Sequence, residues 1–234
     1  MATFISGNRT RYAIYFAPAS DSRWWQAGCH WLGRDPEQRI GGLDATTPWR
    51  DNARRYGFHA TLKAPFHLAD GYDETRLLAC ASVFASHQTA LEVPLPTVRL
   101  LGNFLALQAG GPVPQISTLA QDCVEHFEAL RAAPTAADLA RRSSVLLTAR
   151  QQALLQRWGY PYTEEQFRFH MTLSDSLTNV EPAVAQAMTE DALAAFSQAM
   201  AVPLVIDGIA IFREEASGAP FDLVARFGFG GLPE

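Results

Sequence analysis

The stretch FHATL (residues 58–62) is written a second time as FHMTL (residues 169–173). Each copy alternates apolar and polar residues, the period of a strand with one buried face. Phe58, Ala60 and Leu62 belong to the core side, as do Phe169, Met171 and Leu173. His59 and Thr61 share the open face of the first copy, with Lys63 further along it. Arg168, His170, Thr172 and Ser174 share the open face of the second. The elements after each phrase also repeat. A helical stretch comes first, then a hairpin that opens on VPL, at residues 93–95, 34 residues after His59, and at residues 202–204, 32 residues after His170.

Working outward, RYAIYFA (11–17) reads as a strand, and Ser20 and Asp21 open a helix that ends near Gly33. Residues 34–54 are loop-like. Asp73 caps a helix to about His87, and two strands turn around Gly102 and Asn103. Residues 115–158 are mostly helical, with capping-box spacings at Thr135 and Asp138 and at Thr148 and Gln151, and a stop at Gly159. A helix over 181–200 and strands in VPLVIDGIAIF (202–212) and PFDLVARFGF (220–229) complete the second copy. A repeat of this kind predicts an α+β fold: a bilobal, pseudo-two-fold arrangement in which two antiparallel sheets form a central groove with helices packed outside. Residues 1–234 are expected to form one bilobal domain, with repeat halves at about 54–110 and 165–230 and a helical insert at about 115–158.

Composition narrows the function classes. The chain has 234 residues, of which 48% are apolar and 18% charged, enough to bury a sizeable core. Net charge is −5 and the isoelectric point about 5.7, which disfavours a broad nucleic-acid footprint. The three cysteines, Cys29, Cys80 and Cys123, are widely spaced and show no metal or disulfide pattern. No apolar run reaches the roughly 20 residues of a membrane span, so a cytoplasmic protein is expected.

The paired phrases carry the chemistry. Brought face to face they offer two imidazoles, two hydroxyls and cations, with no carboxylate, a set that suits a phosphate-like anion. One neutral imidazole can take a proton from an attacking oxygen while an imidazolium gives one to the leaving oxygen, each transfer worth typically about 10²- to 10⁴-fold in rate. Thr61 and Thr172 would donate hydrogen bonds to the non-bridging oxygens, and Arg168, Lys63 and Ser174 would bind substrate. Each phrase holds one histidine without an acidic or thiolate partner at ligand spacing, so no metal and no cofactor is expected. His30, His67, His87 and His126 lack a partner pattern and read as structural or surface residues. Trp24, Trp25 and Trp31 read as packing residues, and Arg141 and Arg142 as a solvated helix face, with a substrate lid as the other reading. Tyr12 and Tyr15 fall on opposite faces of the first strand, so at most one reaches the groove.

The two H-x-T phrases, together with RYAIYFAP (11–18), RYGFHATLKAPF (55–66) and RWGYPYTEEQFRFHMTLS (157–174), resemble the two-histidine (2H) phosphoesterase superfamily and, within it, the phosphonate-operon branch. That superfamily includes RNA 2′,3′-cyclic phosphodiesterases and 2′-5′ ligase-like proteins. The resemblance implies that His59, Thr61, His170 and Thr172 are catalytic in a bilobal fold with a central groove. It further implies a metal-independent phosphodiesterase acting on a small cyclic phosphate, nucleotide or ribosyl, near phosphonate breakdown. A phosphate-ester binding module without turnover and a ligase-like transesterase use the same groove and remain open readings.

Overall fold

The computed structural model describes residues 10–39, 48–134 and 146–230. The Thr135 to Asp138 capping box and the Arg141, Arg142 pair lie outside them. Strands are β1 (Arg11–Phe16), β2 (Ala60–Phe66), β3 (Leu91–Val93), β4 (Thr97–Leu101), β5 (Phe104–Gln108), β6 (His170–Thr172), β7 (Leu204–Ile206), β8 (Gly208–Glu214) and β9 (Phe221–Gly228). Helices are α1 (Arg23–Leu32), α2 (Asp51–Tyr56), α3 (Glu74–Ser86), α4 (Pro114–His126), α5 (Ala149–Trp158) and α6 (Pro182–Phe196).

Local chemistry sets the helix ends. Ser22 accepts the Trp25 N–H at the start of α1, Asp73 accepts that of Arg76 at the start of α3, and Thr148 and Gln151 form the expected capping box of α5. The fold is α+β with two antiparallel sheets, as expected. A seven-stranded sheet runs β4-β5-β6-β2-β1-β8-β9, and a two-stranded sheet joins β3 to β7.

The halves interlock within the larger sheet instead of each keeping a sheet of its own. β6, from the second half, is flanked by the β4–β5 hairpin of the first half, while β8 and β9 of the second half extend the sheet beyond β2 and β1. The small sheet ties the halves again, pairing Val93 with Leu204. One face of the large sheet is the main core: Ile14, Phe16, Leu62, Leu107, Met171 and Ile211 pack against apolar faces of α1, α3, α4 and α6. The other face is lined by a smaller cluster of Ala13, Tyr15, Trp25, Ala210, Phe212 and Phe221. Both histidine phrases open onto this second face. Among the described residues no helix is long and apolar enough to cross a membrane.

Candidate active site

The two phrases are neighbours. β2 and β6 pair antiparallel through Ala60 and Met171. One residue to either side, the same register sets His59 opposite Thr172 and Thr61 opposite His170, because partners in an antiparallel pair count in opposite directions. The two histidines are then diagonal neighbours, a relationship that holds side-chain origins about 7–8 Å apart and leaves room for a phosphoryl group between the ring tips.

A shared backbone device aims both rings. His59 Nδ1 lies 2.9 Å from the carbonyl oxygen of Gly57, and His170 Nδ1 lies 2.7 Å from that of Arg168, two residues back in each case. A carbonyl only accepts, so each Nδ1 carries the hydrogen and each Nε2 presents its lone pair away from that anchor. His59 Nε2 meets Thr61 Oγ1 at 3.2 Å, where the hydroxyl donates. The first anchor demands glycine: Gly57 has φ +79°, and a Cβ there would stand 2.4 Å from the Pro36 ring.

The surroundings of the two rings differ. Tyr15 stacks on His59 with ring centroids 3.7 Å apart and planes 23° from parallel, while Phe212 and Tyr56 stand at 6.2 and 6.3 Å. Burial in this aromatic box pushes the His59 pKa down to about 4, the Gly57 carbonyl partly opposing the shift and nearby His170 adding to it. His170 is more open, with Phe104 at 5.7 Å. Burial lowers its pKa as well, opposed by the Arg168 carbonyl.

The cleft over these residues has two chambers. The larger, of about 440 Å³, is lined by His170 and Thr61 with Tyr160, Tyr162, Phe167 and Arg168. The smaller, of about 290 Å³, is lined by His59 and Thr172 with Asn52, Tyr56 and Ser176. Asn103 and Phe104 border both. Asn103 is held by hydrogen bonds from its Nδ2 to Ser176 Oγ and Thr178 Oγ1, at 2.8 and 2.9 Å. Among the described residues no three His, Cys, Asp or Glu side chains gather to hold a metal ion.

His59, Thr61, His170 and Thr172 therefore come together, and Arg168 lies on the rim of the larger chamber. Two expected substrate-binding residues do not offer their polar groups to the cleft, although Ser174 borders the smaller chamber. Lys63 is 3% exposed, and its Nζ donates to the Val124 carbonyl at 2.8 Å and to Glu128 at 2.9 Å. Strict alternation fails because the β1–β2 register slips on either side of the Ile14–Lys63 pair, a bulge that turns Lys63 towards α4. Ser174 is 1% exposed; its hydroxyl accepts the Leu105 N–H at 2.9 Å and donates to the Asp175 carbonyl at 2.8 Å, so it stitches backbone to backbone. Of the two tyrosines of β1, Tyr15 faces the site and Tyr12 the main core. Tyr56, Asn103, Tyr160 and Tyr162 gave no periodic signal; their place depends on the short helix α2 and on turns and loops that only the fold brings to the cleft.

Behind the aromatic box, Arg11 and Arg55 both hold Glu214, whose side chain is fully buried and also accepts the Gly218 N–H at 2.9 Å. Arg55 lies over Tyr56 with its guanidinium carbon 4.9 Å from the ring centroid, linking this ion cluster to the wall of the His59 site.

Comparison with known proteins finds relatives over nearly the whole chain. A ribose 1,5-bisphosphate phosphokinase PhnN from Janthinobacterium sp. (strain Marseille) is 48% identical over 98% of this chain and 53% of its own length. The protein of the same name from Laribacter hongkongensis (strain HLHK9) is 37% identical over 91% of this chain and 50% of its own length. The chain thus spans about half the length of these curated relatives. Among solved structures, E. coli LigT complexed with 3′-AMP is similar at 11% identity and a TM-score of 0.46, covering 94% of this chain and 98% of that one. TT0787 of Thermus thermophilus is similar at 12% identity, with a TM-score of 0.46 over 94% of this chain and 98% of that one. The profile of the family described as "Protein of unknown function (DUF1045)" matches residues 61–222, well over half of the sequence, and the chain belongs to that family.

Proposed function

We propose that the chain is a metal-independent phosphodiesterase of the two-histidine type that opens a small cyclic phosphate. The observation that carries this reading is the Ala60–Met171 pairing, which sets two imidazoles, each with Nδ1 tied to a carbonyl, diagonally across neighbouring strands with a threonine beside each. Such a site can take a proton from water on one side of phosphorus and return one to an ester oxygen on the other, without a Lewis acid. Thr172, and Thr61 once its hydroxyl turns from His59 Nε2, donate to the non-bridging oxygens as charge builds on them.

The substrate we favour is a ribosyl cyclic phosphate. Two relatives are named as kinases of ribose 1,5-bisphosphate. Opening a 1,2-cyclic phosphate of ribose 5-phosphate at the C2 oxygen gives that bisphosphate, so the reaction would supply what a kinase of this name consumes. The test is phosphorus NMR in the presence of a chelator, with this compound and a panel of nucleoside 2′,3′-cyclic phosphates. The cyclic resonance of the ribosyl compound should be replaced by that of a phosphomonoester. Persistence of every cyclic resonance, with the esters nevertheless bound, would make the cleft a binding module instead.

A further inference from the structure

We infer that the cleft is polarised: the body of the substrate lies in the His170 chamber and the attacking water in the His59 chamber, so His59 acts as the general base and His170 as the general acid. The inference rests on the phosphodiesterase reading and deepens it. Sequence symmetry leaves the two histidines equivalent; the fold does not.

Size, lining and connectivity all distinguish the two sides. In opening a cyclic ester the leaving oxygen belongs to the sugar and the attacker is one water molecule, so the acid must stand on the sugar's side and the base on the water's side. The His170 chamber is the larger, about 440 against 290 Å³. It offers ring faces of Phe104, Tyr160 and Tyr162 for the C–H face of a sugar, and it alone of the two is lined by a basic side chain other than histidine, Arg168. Arg168 Nη1 donates to the Glu165 and Phe167 carbonyls at 2.9 and 2.8 Å, which fixes the guanidinium at the rim with Nε and Nη2 unspent by these bonds. That is a fitting partner for a second phosphate on the same sugar. Among the described residues the His59 chamber has no such cation in its lining, which presents instead the amides of Asn52 and Asn103, the hydroxyls of Thr172 and Ser176 and the carboxylate of Asp175, held by the Asn52 and Ala53 N–H groups; these groups hold water, and the carboxylate repels a second phosphate.

The rings fit their roles. His59, under Tyr15 and tied to Gly57, keeps Nε2 unprotonated through the neutral range, as a base requires, with the Thr61 hydroxyl as its donor until a water takes that place. His170, the more open ring, is the one on which the negative charge of a bound phosphate ester favours a proton. In the step itself the water oxygen bonds to phosphorus as one phosphorus–oxygen ester bond breaks. His59 Nε2 takes a proton from that water, His170 Nε2 gives its proton to the departing sugar oxygen, and the second ester bond survives as a phosphomonoester. Exchange with solvent then resets both rings.

The test uses leaving-group chemistry on the full chain. A diester whose leaving group is nitrophenol needs no general acid, whereas the cyclic ribosyl ester does. His170→Ala should lose about 10²- to 10⁴-fold on the cyclic ester and recover most of that loss on a ribose 5-phosphate nitrophenyl diester. His59→Ala should lose a comparable factor on both. Because His59 is buried, His59→Asn, which can still donate to the Gly57 carbonyl, serves as the second variant at that position. Recovery confined to the His59 variants, or equal recovery at both positions, would overturn the polarity. A wild-type chain inert to both esters would overturn the phosphodiesterase reading and this inference with it.

Discussion

Tyr15 lies flat against His59, ring centroids 3.7 Å apart, on the strand next to the one that follows the histidine. It is 1% exposed and walled in by Phe212 and Phe221 at 5.1 and 6.4 Å, so it cannot turn away. The stack removes water from one face of the imidazole, and loss of water disfavours the imidazolium. A base with its pKa pushed down to about 4 is already deprotonated across the neutral range, so activity should fall on the acid side only well below neutrality. Tyr15→Leu readmits solvent and raises the His59 pKa towards its ordinary value. The acid limb of the kcat/KM profile should move up by about one unit or more, while the alkaline limb stays in place.

The threonines should separate from the buried serine. Thr172 lines the smaller chamber opposite His59 and is partly exposed there. Thr172→Val should lower kcat about 10²-fold, the order of effect seen when one donor to a developing oxyanion is removed, with an unchanged melting temperature. Ser174→Ala should do the reverse: about 1–2 kcal/mol of stability lost in urea unfolding, because the Leu105 N–H is left without its acceptor, and kcat close to wild type.

Lys63 is predicted to matter for stability and not for turnover. Burial lowers its pKa, and Glu128 is its counter-ion. Glu128→Ala strands the ammonium in the protein and should cost about 3 kcal/mol. The double variant with Lys63→Met should recover much of that loss, and Lys63→Met alone should leave kcat/KM unchanged. The pair also predicts an acid sensitivity. Burial pushes the Glu128 carboxyl up, but hydrogen bonds from Arg131 and Lys63 outweigh it and hold the pKa below the ordinary carboxylate range. A depressed carboxylate stabilises the fold above its unfolded pKa and stops doing so as pH falls through its folded pKa. Stability followed from about pH 6 down to about pH 3 should therefore drop less steeply in Glu128→Gln than in wild type.

Close packing beneath the first phrase gives a fourth test. Gly28 in α1 lies so near Phe58 that a Cβ would stand 2.1 Å from the ring. Gly28→Ala must push Phe58, and with it the start of β2, away from α1. A loss of about 1–3 kcal/mol is expected from such overpacking. A drop in kcat should accompany it, since His59 is the next residue; a normal melting temperature would refute the contact.

The repeated phrase carried the fold class and brought the centre of the candidate site together, and particular residues show where local pattern stops. Alternation sorted Phe58, Ala60, Leu62 and Met171 from His59, Thr61, His170 and Thr172 because all of them sit around the Ala60–Met171 pair, before the slip at Lys63, where side-chain direction follows from counting. It misplaced Lys63 because a bulge adds a residue to one strand relative to its neighbour, and the slip is set by β1, some 50 residues away in sequence. Ser174 continues the count correctly but is swallowed by backbone groups of β5, a partner that sequence spacing does not reveal. The interlocked strand order was equally hidden, since a repeat indicates that two units match and not which unit supplies whose neighbours. Tyr12 and Tyr15 are identical in type and sit on opposite faces of one strand, and only the elements packed on each face tell them apart.

Strand β1 completes its sheet through pairs such as Arg11 with Glu214, 203 residues later. On the ribosome this strand emerges well before β8 and β9 and waits for them before one of its edges is covered. Contacts of such long range make folding slow and leave an open edge able to pair with other chains in the meantime. Nascent chains arrested before β8 should consequently be strong clients of chaperones, with the aromatic box around His59 unassembled until β8 and β9 have emerged.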